Sequence, residues 1–132
     1  MDFDITRKKI NVFKIGKIYC FKQYFNDREV FEKLSKYYND KKYRFECGTA
    51  GKRNKIIKYL WKIGFETILI EDLSVYIVKI ERTKRYAPIL KSSIEQTEMG
   101  NVRIFLMKDK ASVELAIENG AERYTDISKS LF

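Results

Sequence analysis

"YRFECGTAGKRNKIIKYLW", Tyr43 to Trp61, changes its hydrophobic period part-way along and so decides the fold class. Up to Cys47 the residues alternate, with Tyr43, Phe45 and Cys47 on one side and Lys42, Arg44 and Glu46 on the other, the two-residue repeat of a strand. From Lys52 to Ile63 the spacing becomes helical: Ile56, Ile57, Leu60, Trp61 and Ile63 make one apolar stripe. Gly64 followed by Phe65 is the left-handed stop expected at a helix end. Gly48–Lys55 is the joint between the two periods.

Working towards the N-terminus, Ile10 to Tyr24 is rich in β-branched and aromatic residues and predicts strand, with Gly16 as a bulge or tight turn that splits it. Asn26 is placed to cap a helix, with Glu29 closing a capping box and Phe25 and Val30 as its hydrophobic staple. Val30, Phe31, Leu34, Tyr37 and Tyr38 form that helix's inner face. Residues 1–9 read as a frayed end. Towards the C-terminus, Thr67–Ile70 and Val75–Ile80 read as two strands of a hairpin joined by Glu71–Ser74. Thr83–Asn101 loses periodicity around the only proline and reads as a long connecting loop, residues 83–101, with room for a short helix after Pro88. Val102–Met107 is a strand, and Asp109 caps a helix that turns Val113, Ala116 and Ile117 inward and stops at Gly120. Arg123–Ile127 is the last expected strand. The order β-α-β-α-β-β-β-α-(β) predicts a single α+β domain over residues 1–132, with three helices on one face of a mixed, partly antiparallel sheet. The strand order is not legible.

The composition narrows the chemistry. The chain has 132 residues, 45% hydrophobic and 14% aromatic, enough to build one core. No run approaches the roughly 18 apolar residues of a membrane span. The Met1–Asp4 start lacks the basic-then-apolar order of a secretory signal, so cytoplasm is the expected compartment. Lys, Ile, Tyr and Glu are abundant, a bias that suits a thermophile or an AT-rich genome. Histidine is absent, which removes the commonest general base and metal ligand together with every Ser-His and Cys-His pair. Cys20 and Cys47 fall in expected strands, where a thiol serves as a small apolar residue. The net charge of +9 is uneven: residues 1–64 hold 17 basic and 7 acidic side chains, residues 65–132 hold 10 and 11. Such asymmetry suits a polyanion, or equally the basic habit of a Lys-rich proteome.

The joint itself resists the nucleotide readings. A Walker loop needs four residues between its glycines and then Lys-Ser/Thr; Gly48-Thr49-Ala50-Gly51-Lys52-Arg53 has two and an arginine. The letters resemble the G-x-x-G loop of KH domains, which grips single-stranded backbone. KH domains set that loop between two helices with an aliphatic residue three after the second glycine; here a strand precedes it and Asn54 holds that place, so no family membership follows. Two readings stand: a strand-to-helix turn capped by Thr49 or Asn54, or an anion position at a helix N-terminus flanked by Lys52 and Arg53.

At 100° per residue Lys55, Lys58 and Lys62 share one arc with Tyr59 beside them, a face suited to following phosphates while the ring stacks on a base. Arg82, Lys84, Arg85 and Tyr86, and also Lys41, Lys42 and Arg44, join that face only if the fold brings them there. Glu71-Asp72, Asp109 and Ser92-Ser93 are the remaining catalytic candidates, and turn, cap or spacing arguments account for each. The expectation is a small basic, non-catalytic domain without a cofactor that binds RNA or single strands through Lys52, Arg53, Lys55, Lys58, Tyr59, Lys62, Arg82, Lys84 and Arg85. The alternative is a protein-interaction or homo-oligomerisation module using Tyr37, Tyr38, Tyr59 and Tyr86.

Overall fold

The computed structural model describes residues 7–125 and 131–132. β1 (Lys8–Ile15) and β2 (Ile18–Phe21) form the hairpin that Gly16 divides, at φ 59, where a side chain would strain the turn. β1 starts at Lys8 rather than Ile10, so Lys8 and Lys9 are strand residues and not a frayed end; they pair with Phe65 and Glu66. α1 (Arg28–Leu34) is capped by Asp27 in place of Asn26. The Asp27 carboxylate accepts the Glu29 amide at 2.9 Å, and its charge suits the positive end of the helix. A 3₁₀ turn, Ser35–Tyr37, leads to β3 (Tyr38–Asn39), which pairs with β4 (Arg44–Cys47). The Thr49 hydroxyl then accepts the Lys52 amide and opens α2 (Ala50–Lys62), which Gly64 ends at φ 99.

β5 (Phe65–Ile70) runs parallel to β1, and the sheet order is β3-β4-β2-β1-β5. β4 and β1 are each antiparallel to β2, so β4 points the same way as β5 and α2 is the crossover of a βαβ unit. The expected hairpin after β5 does not form. A 3₁₀ turn, Ser74–Tyr76, delivers the chain to a second sheet instead, and β5 is left as an edge strand paired with β1 alone. There β6 (Ile77–Glu81) pairs with β8 (Val102–Met107) and with β9 (Glu122–Arg123). The expected loop over 83–101 contains a five-residue helix, α3 (Ala87–Lys91), after Tyr86, and a seven-residue edge strand, β7 (Ser93–Met99), paired with β8. β7 escaped the hydrophobic pattern because only Ser93 and Ile94 are buried along it. α4 (Lys110–Glu118) has the cap read from sequence, Asp109 accepting the Ser112 amide at 2.7 Å. The last expected strand shrinks to β9, and residues 126–127 lie outside the described residues.

Among the described residues the fold is α+β, but with two sheets and four helices in place of one sheet and three helices. Alternation along the strands sets the layers. β1 turns Ile10 and Val12 towards Val30, Leu34, Ile56 and Leu60 of α1 and α2, and Phe13 towards Ile77, Ile104 and Leu106 of the second sheet. β8 repeats the device, with Ile104 and Leu106 between the sheets and Phe105 and Met107 against Ile89, Val113 and Ala116 of α3 and α4. The order is helices, sheet, sheet, helices, so helices cover two outer faces rather than one. Phe45, Phe13 and Phe105, one in each apolar layer, are fully buried, each contributing about 1.5–3 kcal/mol relative to exposure.

Arg44 departs most from the expected alternation. It is 2% exposed, because the charged face of β4 that it shares with Glu46 is covered by β7. Its guanidinium reaches Glu46 at 2.9 Å, the Ile94 carbonyl at 2.8 Å and Glu95 at 3.1 Å, tying β4 to the second sheet. Burial disfavours this charge, but the neighbouring Cys20, Glu46 and Glu95 together hold its pKa above the ordinary arginine value. Burial likewise pushes the Glu95 carboxyl up, yet hydrogen bonds from Lys42 and the Gln96 amide, with Arg44 beside them, bring it below the ordinary value.

Candidate nucleic-acid interface

No acidic residue stands between Glu46 and Glu66, so every charge on α2 is positive: Lys52, Arg53, Lys55, Lys58 and Lys62. α2 buries Ile56 and Leu60 against the first sheet, which fixes what its other positions face. Lys55, Lys58 and Lys62 lie within about 60° of one another on the solvent side, and all three are exposed. Among the described residues none of the five α2 cations takes part in an ion pair, whereas Lys42, Arg44, Arg82 and Arg103 do.

Tyr59 is a flanking core residue rather than an open ring. It packs against the helix-side core, with the Lys33 ammonium 5.8 Å from its ring centre. Burial and the nearby Glu29 and Asp27 push its hydroxyl pKa up, which sets it beside the start of α1. The open ring of α2 is Trp61, 53% exposed. The sequence pattern counted Trp61 in the inward stripe, but it stands about 100° from Leu60 and on the far side from Ile56. The Arg7 guanidinium lies 3.5 Å from the Trp61 ring centre and donates to the Trp61 carbonyl at 2.6 Å. A shallow depression of about 540 Å³ is lined by Asn54, Lys55, Ile57, Lys58 and Trp61. Exposed aromatic surface and two lysines therefore share one wall.

Lys52 and Arg53 do not join this wall. Arg53 lies over the Tyr19 ring at 4.8 Å and bonds the Asn54 side chain, while Lys52 borders a depression with Lys36, Glu46 and Cys47. At the opening motif, Gly48 and Gly51 keep ordinary φ values and a Cβ at either would meet nothing, so the turn capped by Thr49 accounts for the joint. Arg82, Lys84 and Arg85 lead from β6 into α3 on the outer side of the second sheet, two sheets away from α2. Arg82 pairs there with Glu98 at 3.3 Å. Lys42 and Arg44 are held at the sheet junction by Glu95.

The other candidates have structural occupations. Asp72 accepts the Ser74 amide at 3.0 Å, and hydrogen bonds from Ser74 lower its pKa. The Ser93 hydroxyl donates to the Leu90 carbonyl at 2.8 Å. Tyr37, Tyr38 and Tyr86 are half-buried, Tyr38 stacking edge-on to Phe31 and Phe45, and Tyr86 packing on Phe105. Cys20 is fully buried between the sheets, and burial raises its pKa to about 12. Among the described residues no helix is long and apolar enough to cross a membrane. No protein-family model, curated protein or solved structure matches the chain.

Proposed function

We propose that this protein binds single-stranded nucleic acid, RNA foremost, through the phosphate backbone, without chemistry on the bound strand and in the cytoplasm. The carrying observation is the solvent face of α2, where Lys55, Lys58 and Lys62 stand together without an acidic partner among the described residues, beside the exposed Trp61 ring. Unmatched cations gain from phosphate by releasing counterions, and a ring gives any base a stacking surface without selecting its identity. The binding set is therefore Lys55, Lys58, Lys62 and Trp61, with Arg7 alongside.

The test is a fluorescence-anisotropy titration of a labelled single-stranded oligonucleotide at low salt. We expect saturable binding by the native chain and a loss on the order of 10- to 100-fold in a Lys55→Gln, Lys58→Gln, Lys62→Gln variant. Equal affinity in the two proteins refutes the assignment. A second reading, self-association, draws on β5, an edge strand of the first sheet with Ile68 37% and Leu69 40% exposed. A concentration-dependent dimer in sedimentation that Leu69→Lys abolishes favours it; a monomer at all concentrations removes it.

A further inference from the structure

A groove of about 510 Å³ opens where the β3–β4 loop meets α3 and β7, on a part of the surface that the α2 reading does not use. Its volume suits a small organic ligand. Leu90 and Ile94 give it an apolar floor, and Lys22, Lys41, Lys42 and Lys91 stand around it. The one carboxylate in its wall, Glu95, is already matched by Lys42 at 2.8 Å and Arg44 at 3.1 Å. Lys22 spends a hydrogen bond on a neutral acceptor, the Ser93 carbonyl at 3.0 Å, so its charge stays unmatched. Lys41 and Lys91 have no ion-pair partner among the described residues.

Tyr43, at the lip, supplies a second and independent observation. It is the one non-glycine with positive φ among the described residues, at 54°, and its side chain is largely exposed, at 64%. Glycine or asparagine is the ordinary occupant of that conformation, and bulky residues held in it cluster at active sites and ligand clamps. The loop fixes it from both ends. The Asn39 side-chain Oδ1 accepts the Lys41 and Lys42 amides at 3.0 and 3.2 Å, and the next residue, Arg44, is locked into the sheet junction. The fold thus presents an aromatic ring in a strained position over a cationic, apolar-floored groove.

We propose that this groove binds a free nucleoside phosphate, its base against Tyr43 and Leu90 and its phosphates towards Lys22, Lys41 and Lys91. A bare phosphate would leave the ring and the apolar floor unused, and an uncharged aromatic would leave the ammonium groups unused. The joint presence of both selects a ligand with a planar body and an anionic tail.

Calorimetric titration of the full chain with ATP and, separately, inorganic triphosphate tests this. We expect one saturable ATP site per chain. Tyr43→Gly, which suits the backbone at φ 54 while removing the ring, weakens ATP about tenfold and leaves triphosphate unchanged. Tyr43→Asn, which also tolerates that conformation, gives the same result should the glycine loosen the loop. Lys41→Gln with Lys91→Gln weakens both ligands, and Lys58→Gln with Lys62→Gln weakens neither. Absence of saturable ATP binding at millimolar concentration overturns the proposal. So does an ATP affinity indifferent to both Tyr43 changes, or one lost with the α2 lysines.

Discussion

Replacing Arg44 by leucine removes the main polar tie between the two sheets, and the structure sets the expected cost. Breaking a buried ion pair by deleting one partner costs about 3–5 kcal/mol, because a charge is left without compensation. Here the abandoned partners retain some support: Glu95 keeps Lys42 at 2.8 Å and the Gln96 amide at 3.0 Å, and Glu46 keeps the Asn39 side chain at 3.2 Å with 30% of its side chain in solvent. The Ile94 carbonyl is less fortunate, since its 2.8 Å contact is with a buried donor. These offsets place the loss at the low end, about 3 kcal/mol. At about 3–5 °C per kcal/mol for a chain of this size, thermal unfolding should begin roughly 10 °C lower. Urea unfolding followed by circular dichroism gives the free energy directly. Arg44→Lys should lose about half as much, since an ammonium cannot reproduce the fork that reaches Glu46, Glu95 and Ile94 at once. A leucine variant within about 1 kcal/mol of the native chain would show that the Arg44 contacts contribute little to joining the sheets.

Other outcomes follow from the same contacts. Because the folded pKa of Glu95 lies below its ordinary value, its stabilisation is complete above about pH 4.3 and lost as pH falls through the folded value. Melting curves from pH 6 to 3 should therefore be flatter on the acid side in Glu95→Gln than in the native chain; parallel curves contradict this. Cys20, buried with a pKa near 12, should resist a thiol reagent at pH 8 until denaturant is added, and rapid native labelling would show that the inter-sheet layer opens. Trp61→Ala should weaken oligonucleotide binding about tenfold with a stability change within about 0.5 kcal/mol, whereas Tyr59→Leu, which removes the other ring, should leave binding unaltered. The reverse pattern would restore Tyr59 as the stacking ring.

Local signals were the readable ones. Gly16, Thr49, Gly64, Asp109 and Gly120 each mark a turn or helix end through their own backbone or side chain, and the structure uses all five there. What sequence could not carry was the identity of distant partners. β5 followed by β6 looks like a hairpin until β6 is known to find both its partners, β8 and β9, in the second sheet. Arg44 looks like a solvent residue until β7 is known to cover it, and β7 itself hides because an edge strand buries little. A sign of the second sheet was present in Ile104–Met107, an uninterrupted apolar run buried on both faces. At the candidate interface the lysine arc was legible from helical spacing alone. The choice between Tyr59 and Trp61 was not, because it depends on how α2 is rotated over the first sheet.

Salt dependence reads the phosphate contacts of α2 without an intermediary, because each phosphate neutralised on a single strand contributes about −0.7 to the slope of log affinity against log salt. Three or four contacts from Lys55, Lys58, Lys62 and Arg7 correspond to a slope of about −2 to −3 for the native chain. The Lys55→Gln, Lys58→Gln, Lys62→Gln variant should be shallower by about 2. A slope near zero, or one that the three substitutions leave unchanged, contradicts binding through the solvent face of α2.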